Sequence, residues 1–280
     1  MHRFATVTSI ATFFLLIAGS MVTSTDSGLA VPDWPLSYGT WFPPMVGGIV
    51  YEHGHRMAAG VVGLLILALA VWVGRREPRR WVRWLGYAAL SAVILQAILG
   101  GLTVLLLLPP HISIAHACLG QTVFCLVVSL AWCTAPQQDR ARWDTASVDV
   151  RTQAVMVAAV AFVQLLLGAV IRHTGSGVPM HVAGAMALVV MAAMLAGRAQ
   201  PVAVLRAGSR RLLAFLAVQI MLGVAVFLHR TYASAILRTS HVAIGALVLA
   251  QAVVLVWESC VGTDVPTCRR ADVRGAVVNR

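Results

Sequence analysis

The sequence predicts an all-α membrane protein: eight transmembrane helices forming two four-helix bundles related as parallel repeats. Three observations lead there. The 280 residues are 59% hydrophobic and only 11% charged, whereas a soluble domain carries roughly 25% charged residues. Apolar runs of about 20 residues, the length of a bilayer-spanning helix, recur along the chain. Pieces of the first half also reappear at matching places in the second.

The spans are expected near 4–24, 51–74, 84–106, 112–134, 153–172, 180–197, 212–228 and 236–258. The first follows Met-His-Arg, as a signal peptide would. Its apolar stretch is too long for a typical h-region and no A-x-A site follows, so it is read as a helix; no mitochondrial presequence is visible. The second opens with YEHGHR, a cluster of ionisable side chains at the mouth of an apolar run. The fourth carries Cys118, Cys125 and Cys133, read as small core residues. Cys260 and Cys268 fall at the inner end. With no cysteine in an outer loop, no periplasmic disulfide is expected. A polar linker, QQDRARWDTASVD, separates a first half, 1–137, from a second, 150–260, and residues 261–280 form a cytoplasmic tail.

The net charge of +11 comes entirely from arginine, since the chain has no lysine. All but Arg56, Arg172, Arg230 and Arg238 lie at the N-terminus, in alternate loops or in the tail. Arginine-rich loops stay cytoplasmic. Both termini are therefore placed inside, in the inner membrane of a bacterial cell, and the charge signals topology rather than nucleic-acid binding.

The repeat is carried by short matches. GSMVTSTDSG (Gly19 to Gly28) corresponds to GAVIRHTGSG (Gly168 to Gly177), and QAILG in span three to QIMLG in span seven, with QLLLG in span five as well. Four helices per unit is an even number, so both copies enter the membrane in the same direction. The main asymmetry is the first outer loop. TDSGLAVPDWPLSYGTWFPPMVGGIV, residues 25–50, faces only HTGSGVP at 173–179. A loop so long and so rich in Trp and Pro is expected to act as a lid.

Apart from His2, all the histidines map to outer helix ends or outer loops: His53, His55, His111, His116, His173, His181, His229 and His241. Four recur in register. His55 and His116 are 61 residues apart in the first half, and His181 and His241 are 60 apart in the second. Each has a small residue four positions on, on the same helix face: Ala59, Gly120, Ala185 and Gly245. Opposed imidazoles flanked by small residues suit a flat six-coordinate haem between facing helices. A zinc site would want three or four ligands around one ion. The outer arginines are candidates for holding propionates.

PDWPLSYG (Pro32 to Gly39), the E-x-x-H-R motif at Glu52, His55 and Arg56, LGGLTV (Leu99 to Val104), SIAHACLG with His116, GAVIRHTGSG, His181 and His241 together resemble the haem A synthase family over nearly the whole chain. The resemblance implies an enzyme that oxidises a ring methyl of haem O to a formyl group, giving haem A for terminal oxidase assembly. It implies that His181 and His241 bind a haem b that relays electrons. His55 and His116 would bracket the substrate haem, with Arg56 nearby. Glu52 would be the catalytic carboxylate, taking protons or stabilising positive charge on the oxidised carbon. The implied partners are haem O, the lipid bilayer, the haem O-forming farnesyltransferase and terminal oxidase assembly proteins. The electron donor and acceptor are not identified. Two positions depart from the family pattern: Val31 and Ser37 stand where members often carry cysteines flanking PDWP, and Val182 follows His181 where Arg is frequent. Alternatives remain. The set could serve a non-enzymatic di-haem cytochrome b or a haem exporter, and Glu52 could be an interfacial ion-pair partner of Arg56.

The arginine asymmetry generates a topology test. A reporter fused at residue 78 should register inside and one at residue 40 outside; the opposite pattern overturns the topology.

Overall fold

The computed structural model describes residues 1–136, 147–229 and 234–260. The linker arginines Arg140 and Arg142, together with Arg230, Cys268 and the tail 261–280, lie outside the described residues. Among those described there are eight helices: α1 His2–Ser24, α2 Gly48–Arg76, α3 Arg80–Leu105, α4 Pro110–Cys133, α5 Val148–Thr174, α6 Val178–Arg198, α7 Ala203–Leu228 and α8 Ala235–Ser259. All eight are long and apolar enough to cross a membrane. The helices run past the expected edges. The first span starts near the chain's beginning, and α7 starts well before residue 212 because its polar first turns, with Arg206, Arg210 and Arg211, remain helical.

Local signals set the ends. α4 starts at Pro110, where a missing N–H costs nothing. The Ser147 and Ser234 hydroxyls accept N–H bonds from Val150 and Leu237, capping α5 and α8. Gly175, at φ +72°, closes α5 in a left-handed conformation that suits glycine. Within the spans, Thr8, Ser9 and Thr12 of α1 donate their hydroxyls to carbonyls four residues back. A hydroxyl satisfied this way tolerates an apolar surround.

Packing forms two rings. α1 packs on α2 and α4, α2 on α3, and α3 on α4; α5 packs on α6 and α8, α6 on α7, and α7 on α8. The rings meet where α1 and α4 touch α8 and α4 touches α5. One buried core is built from α1 to α4, around Val62, Ile66, Leu69, Val123 and Leu130. A second is built from α5 to α8 and the α6–α7 connection, around Val157, Leu188, Leu195, Leu212 and Leu255. Phe124, Ala246 and Ala250 make a small third cluster between them, with Phe13 packed against it. Large apolar residues such as Leu64, Met186 and Met221 are exposed, two-thirds or more of their surface. On a soluble protein such a surface would be a liability; on these helices it faces lipid.

At the end opposite the paired histidines, three tryptophans tie the rings together. Trp257 of α8 lies between Trp81 of α3 and Trp132 of α4, stacked at 5.6 and 5.9 Å. Its indole N–H donates to Ser129 Oγ at 2.9 Å. Trp257→Phe preserves an aromatic face and removes that donor, so it should lower stability in detergent by about 1 kcal/mol. Trp257→Ala loses the stack too and should cost more. Thermal unfolding of the purified variants checks the order.

Candidate functional site

The second and fourth helix of each ring carry the histidines, and the first and third carry glycines that face them. A β-carbon added at Gly19 of α1 would stand 2.9 Å from Cε1 of His55 on α2. At Gly100 of α3 it would stand 3.1 Å from Cε1 of His116 on α4. At Gly168 of α5 the distance to His181 on α6 is 3.2 Å, and at Gly223 of α7 the distance to His241 on α8 is 3.0 Å. The same ring carbon faces the same kind of gap four times. Only glycine lets the helix backbone come so close. The Gly19–Gly168 correspondence and the Gln-x-x-x-Gly pieces thus mark the positions against which the imidazoles rest.

Three glutamines complete this arrangement, each four residues before its glycine. Gln96 holds His116 twice. The Nδ1–H donates to the Gln96 carbonyl at 3.2 Å, and the Gln96 amide nitrogen lies 3.4 Å from Nε2. Gln164 places its amide 3.1 Å from His181 Nδ1 and donates to the His181 carbonyl at 2.8 Å. Gln219 places its amide 3.2 Å from His241 Nε2. The corresponding residue on α1 is Leu15, and His55 Nδ1 is buried without a hydrogen-bond partner. The small residues after the histidines serve these glutamines. Side chains at Gly120 and Gly245 would stand 2.9 and 3.2 Å from the amide nitrogens of Gln96 and Gln219. On α6 the corresponding gap is at Gly184, against Gln164, rather than at Ala185. The expectation that these residues clear a face for a flat ligand is corrected accordingly, because the glutamine amides take that space.

The imidazoles come in pairs. The His181 and His241 rings face each other edge to face, with centroids 6.5 Å apart. His55 and His116 stand on α2 and α4 of the first ring, against Gly19 and Gly100. Among the described residues, no three of His, Cys, Asp and Glu converge on one point.

One pair has an elaborate cover. Glu52, only 4% exposed, uses both oxygens: Oε1 receives Arg56 Nη2 at 2.6 Å, and Oε2 receives the backbone N–H of Val31 at 2.8 Å. Arg56 spends its other donors on loop carbonyls. Nη1 donates to Asp33 O at 2.6 Å and Leu36 O at 2.8 Å, and Nη2 to Val31 O at 3.3 Å. Ser37 Oγ and His53 Nδ1 share a hydrogen bond of 2.8 Å, and both residues are buried. Asp33 accepts the N–H groups of Gly39 and Tyr38, which hold its carboxyl below the usual carboxylate range. Trp34 reaches α3, where a β-carbon at Gly101 would stand 2.7 Å from its ring. The long loop is therefore folded down onto α2 and α3, whereas the corresponding connection between α5 and α6 is a short turn through Gly175 and Gly177.

The two positions where family members often carry cysteine are both in this clamp. Val31 acts through its backbone, which a Cys or a Val supplies alike. Ser37 acts through its hydroxyl. His53, next to Glu52 on α2, meets Ser37 under the loop. Between the rings, Arg172 donates to Ser20 O and Ser24 Oγ, at 3.1 and 2.6 Å, and Arg238 to Ser24 O at 2.7 Å. These bonds join α1 to α5 and α8 beside both histidine pairs.

A model of the cytochrome oxidase assembly protein family matches residues 48–263. Among curated proteins, the chain is similar to the haem A synthases of three bacteria. For that of Bacillus licheniformis the identity is 29% over 174 residues, covering 61% of this chain and 58% of the relative. For that of Symbiobacterium thermophilum it is 32% over 168 residues, covering 56% and 54%. For that of Lysinibacillus sphaericus it is 31% over 180 residues, covering 62% and 58%. The chain thus spans little more than half the length of the relatives it matches.

The loop contacts generate a test of how the cover is seated. Gly101→Val drives a side chain into the Trp34 ring and should lift the loop. Limited proteolysis should then cut within residues 30–45 faster than in the wild type, and equal rates would show that Trp34 does not anchor it.

Proposed function

The chain belongs to the cytochrome oxidase assembly protein family, and from that premise we propose that it is a haem A synthase. In this proposal it is a multi-pass bacterial membrane enzyme whose two four-helix units, related by an internal repeat, each hold one haem. The observation that carries it is the combination of two imidazole pairs with a carboxylate fixed one helical turn from only one of them. His181 and His241 would hold a resident haem b. Their ring separation of 6.5 Å is about the span of two metal–nitrogen bonds of about 2 Å each plus the ring radii. Paired imidazoles are also the donor set that six-coordinate haem uses. When bound, that haem relays electrons away from the reacting methyl. His55 and His116 would bracket haem O as substrate, under the loop of residues 25–47.

With water as the oxygen source, converting a ring methyl through an alcohol to an aldehyde removes two electron pairs, which leave for an acceptor outside the chain, and releases protons. Glu52 is suited to the protons. Arg56 and the Val31 N–H both bond to it in its buried place, and a carboxylate keeps further acceptor sites after two such bonds. Its position at the outer turn of α2, three residues before His55, puts it toward the edge of a ring held by that histidine. It can accept a proton there or stabilise positive charge on the oxidised carbon. Arg56 contributes by tying Glu52 to the loop, and Trp34 and the clamp screen the reacting edge from bulk solvent. The outer-end arginines Arg172 and Arg238 retain donors for propionates. A di-haem cytochrome would need the histidines but gives no role to Glu52 or to a cover over one pair. Haem O-forming farnesyltransferase and terminal oxidase assembly factors are the partners this function calls for.

Two measurements test the proposal. The purified protein should give a pyridine haemochrome containing haem b and haem A or its alcohol precursor; haem b alone would favour a cytochrome. Glu52→Gln keeps shape and removes basicity, so conversion should fall on the order of 10²–10³-fold while both haems still bind. Haem O or the alcohol should then accumulate in extracts, and near-normal haem A would move the catalytic assignment elsewhere. His181→Ala or His241→Ala should lose the haem b and leave the first-half site intact. Equal loss of both haems would argue against two separate sites.

A further inference from the structure

We infer that Gln96, Gln164 and Gln219 are positioning residues for three of the four histidines, and that His55, which lacks such a glutamine, is the exchangeable ligand from whose side the substrate porphyrin enters and leaves. The inference rests on the proposed function for what the histidines hold.

The pattern is specific. Three odd-numbered helices carry glutamine four residues before the glycine that faces the histidine, and in all three the amide comes within 3.1 to 3.4 Å of a ring nitrogen. Each glutamine has its own small-residue gap on the histidine helix, at Gly120, Gly184 and Gly245. Each also keeps its carbonyl oxygen buried and without a partner. Three buried unpaired acceptors at equivalent places are costly. A cost repeated three times points to what the rest of the side chain does, which is to fix the orientation of a ring. His116 has the strongest hold, with its Nδ1–H given to the Gln96 backbone carbonyl. That bond sets the tautomer and puts the ring's lone pair on Nε2, where the Gln96 amide stands at 3.4 Å until a ligand displaces it.

α1 breaks the pattern. Leu15 occupies the glutamine position and packs against the first core instead. His55 keeps the close approach to Gly19 and, alone of the four, has a hydrogen-bond partner at neither ring nitrogen among the described residues; His241 Nδ1 is likewise unpartnered, but its Nε2 meets Gln219. No hydrogen bond within the described residues fixes the orientation of its ring, and a ligating imidazole gains affinity when its orientation is fixed. The missing partner is in the half that must release its porphyrin, and the half that would keep a resident haem has both glutamines.

Leu15→Gln should supply the missing partner. The purified variant should retain substrate or product porphyrin in the first half at a higher occupancy than wild type, roughly 10-fold better against a haem-scavenging apoprotein, with slower turnover. Leu15→Asn, polar but too short to reach, should behave like wild type. Gln96→Leu removes a polar group without adding one, so folding is not at risk. It should release the first-half porphyrin faster and admit carbon monoxide to the reduced site, leaving the haem b spectrum unchanged. Gln219→Leu should shift the midpoint potential of the haem b and leave first-half retention unaltered. If Leu15→Gln and Gln96→Leu both exchange porphyrin at the wild-type rate, the inference is overturned while the function stands. If Leu15→Asn tightens retention as much as Leu15→Gln, polarity rather than positioning is at work and the inference fails. A wild-type protein that binds no porphyrin overturns the function and this inference together.

Discussion

An imidazole can approach a neighbouring transmembrane helix only where that helix offers no side chain. Here that condition is met four times, with gaps of 2.9 to 3.2 Å between ring carbon and the place a β-carbon would occupy. The other features of the site follow from it. Lipid gives little hydrophobic drive for helices to associate, so close packing through small residues sets their separation. The glycines therefore do two things at once. They let α1 and α2, α3 and α4, α5 and α6, and α7 and α8 come close, and they seat each ring at a defined height. A larger residue at any one of them would move a helix and a histidine together, which makes ring assembly and site geometry one problem.

The clamp over Glu52 shows a different economy. Its partners are mostly main-chain groups: the N–H of Val31 and the carbonyls of Val31, Asp33 and Leu36. A buried carboxylate beside an arginine is stable only if the remaining hydrogen-bonding capacity of both is used. The loop supplies that capacity from its backbone. Its sequence needs only to hold the right shape, which Asp33 does by gathering the N–H groups of Tyr38 and Gly39. This explains how the stretch tolerates Val31 and Ser37 in place of cysteines. The bond at position 31 is blind to the side chain, and at position 37 a hydroxyl reaches His53.

Much of this was legible in the sequence. Eight helices follow from apolar length, since the bilayer leaves few alternatives, and all eight appear, with α3 and α7 starting earlier because their arginine-bearing first turns stay helical. The four histidines stood out because they recur in register at one end, and the Glu-x-x-His-Arg spacing places Glu52 beside Arg56. What was missed is what depends on the third dimension. The Gln-x-x-x-Gly pieces were visible, but three copies of a five-residue pattern say nothing of which helix they face. The small residues at 120 and 245 were read as clearing space for a ligand, when they clear space for glutamine. His53 lies one residue from Glu52, and no periodicity shows that a loop residue 16 positions earlier folds back to meet it.

The two rings, built on matching elements, differ where their proposed tasks differ. Around His181 and His241 both glutamines are present, and the connection above them is a short turn closed by Gly175 and Gly177. Around His55 and His116 one glutamine is replaced by Leu15, and a long loop is tied down by hydrogen bonds and by Trp34 packed on α3. A resident group is best served by rigid ligands and needs no cover. A substrate that must be enclosed for its chemistry and then released is better served by one loosely held ligand and by a lid whose bonds can open. Each contact of the clamp is individually worth on the order of 1 kcal/mol, more where Arg56 or Glu52 is involved. Opening it is then a costly but accessible excursion, of the kind that limits turnover in many enzymes. The arginine seam at Ser20 and Ser24 joins α1, the helix that seats His55, to α5 and α8 of the other ring. A movement of α1 would thereby be passed to α5 and α8 of the other ring.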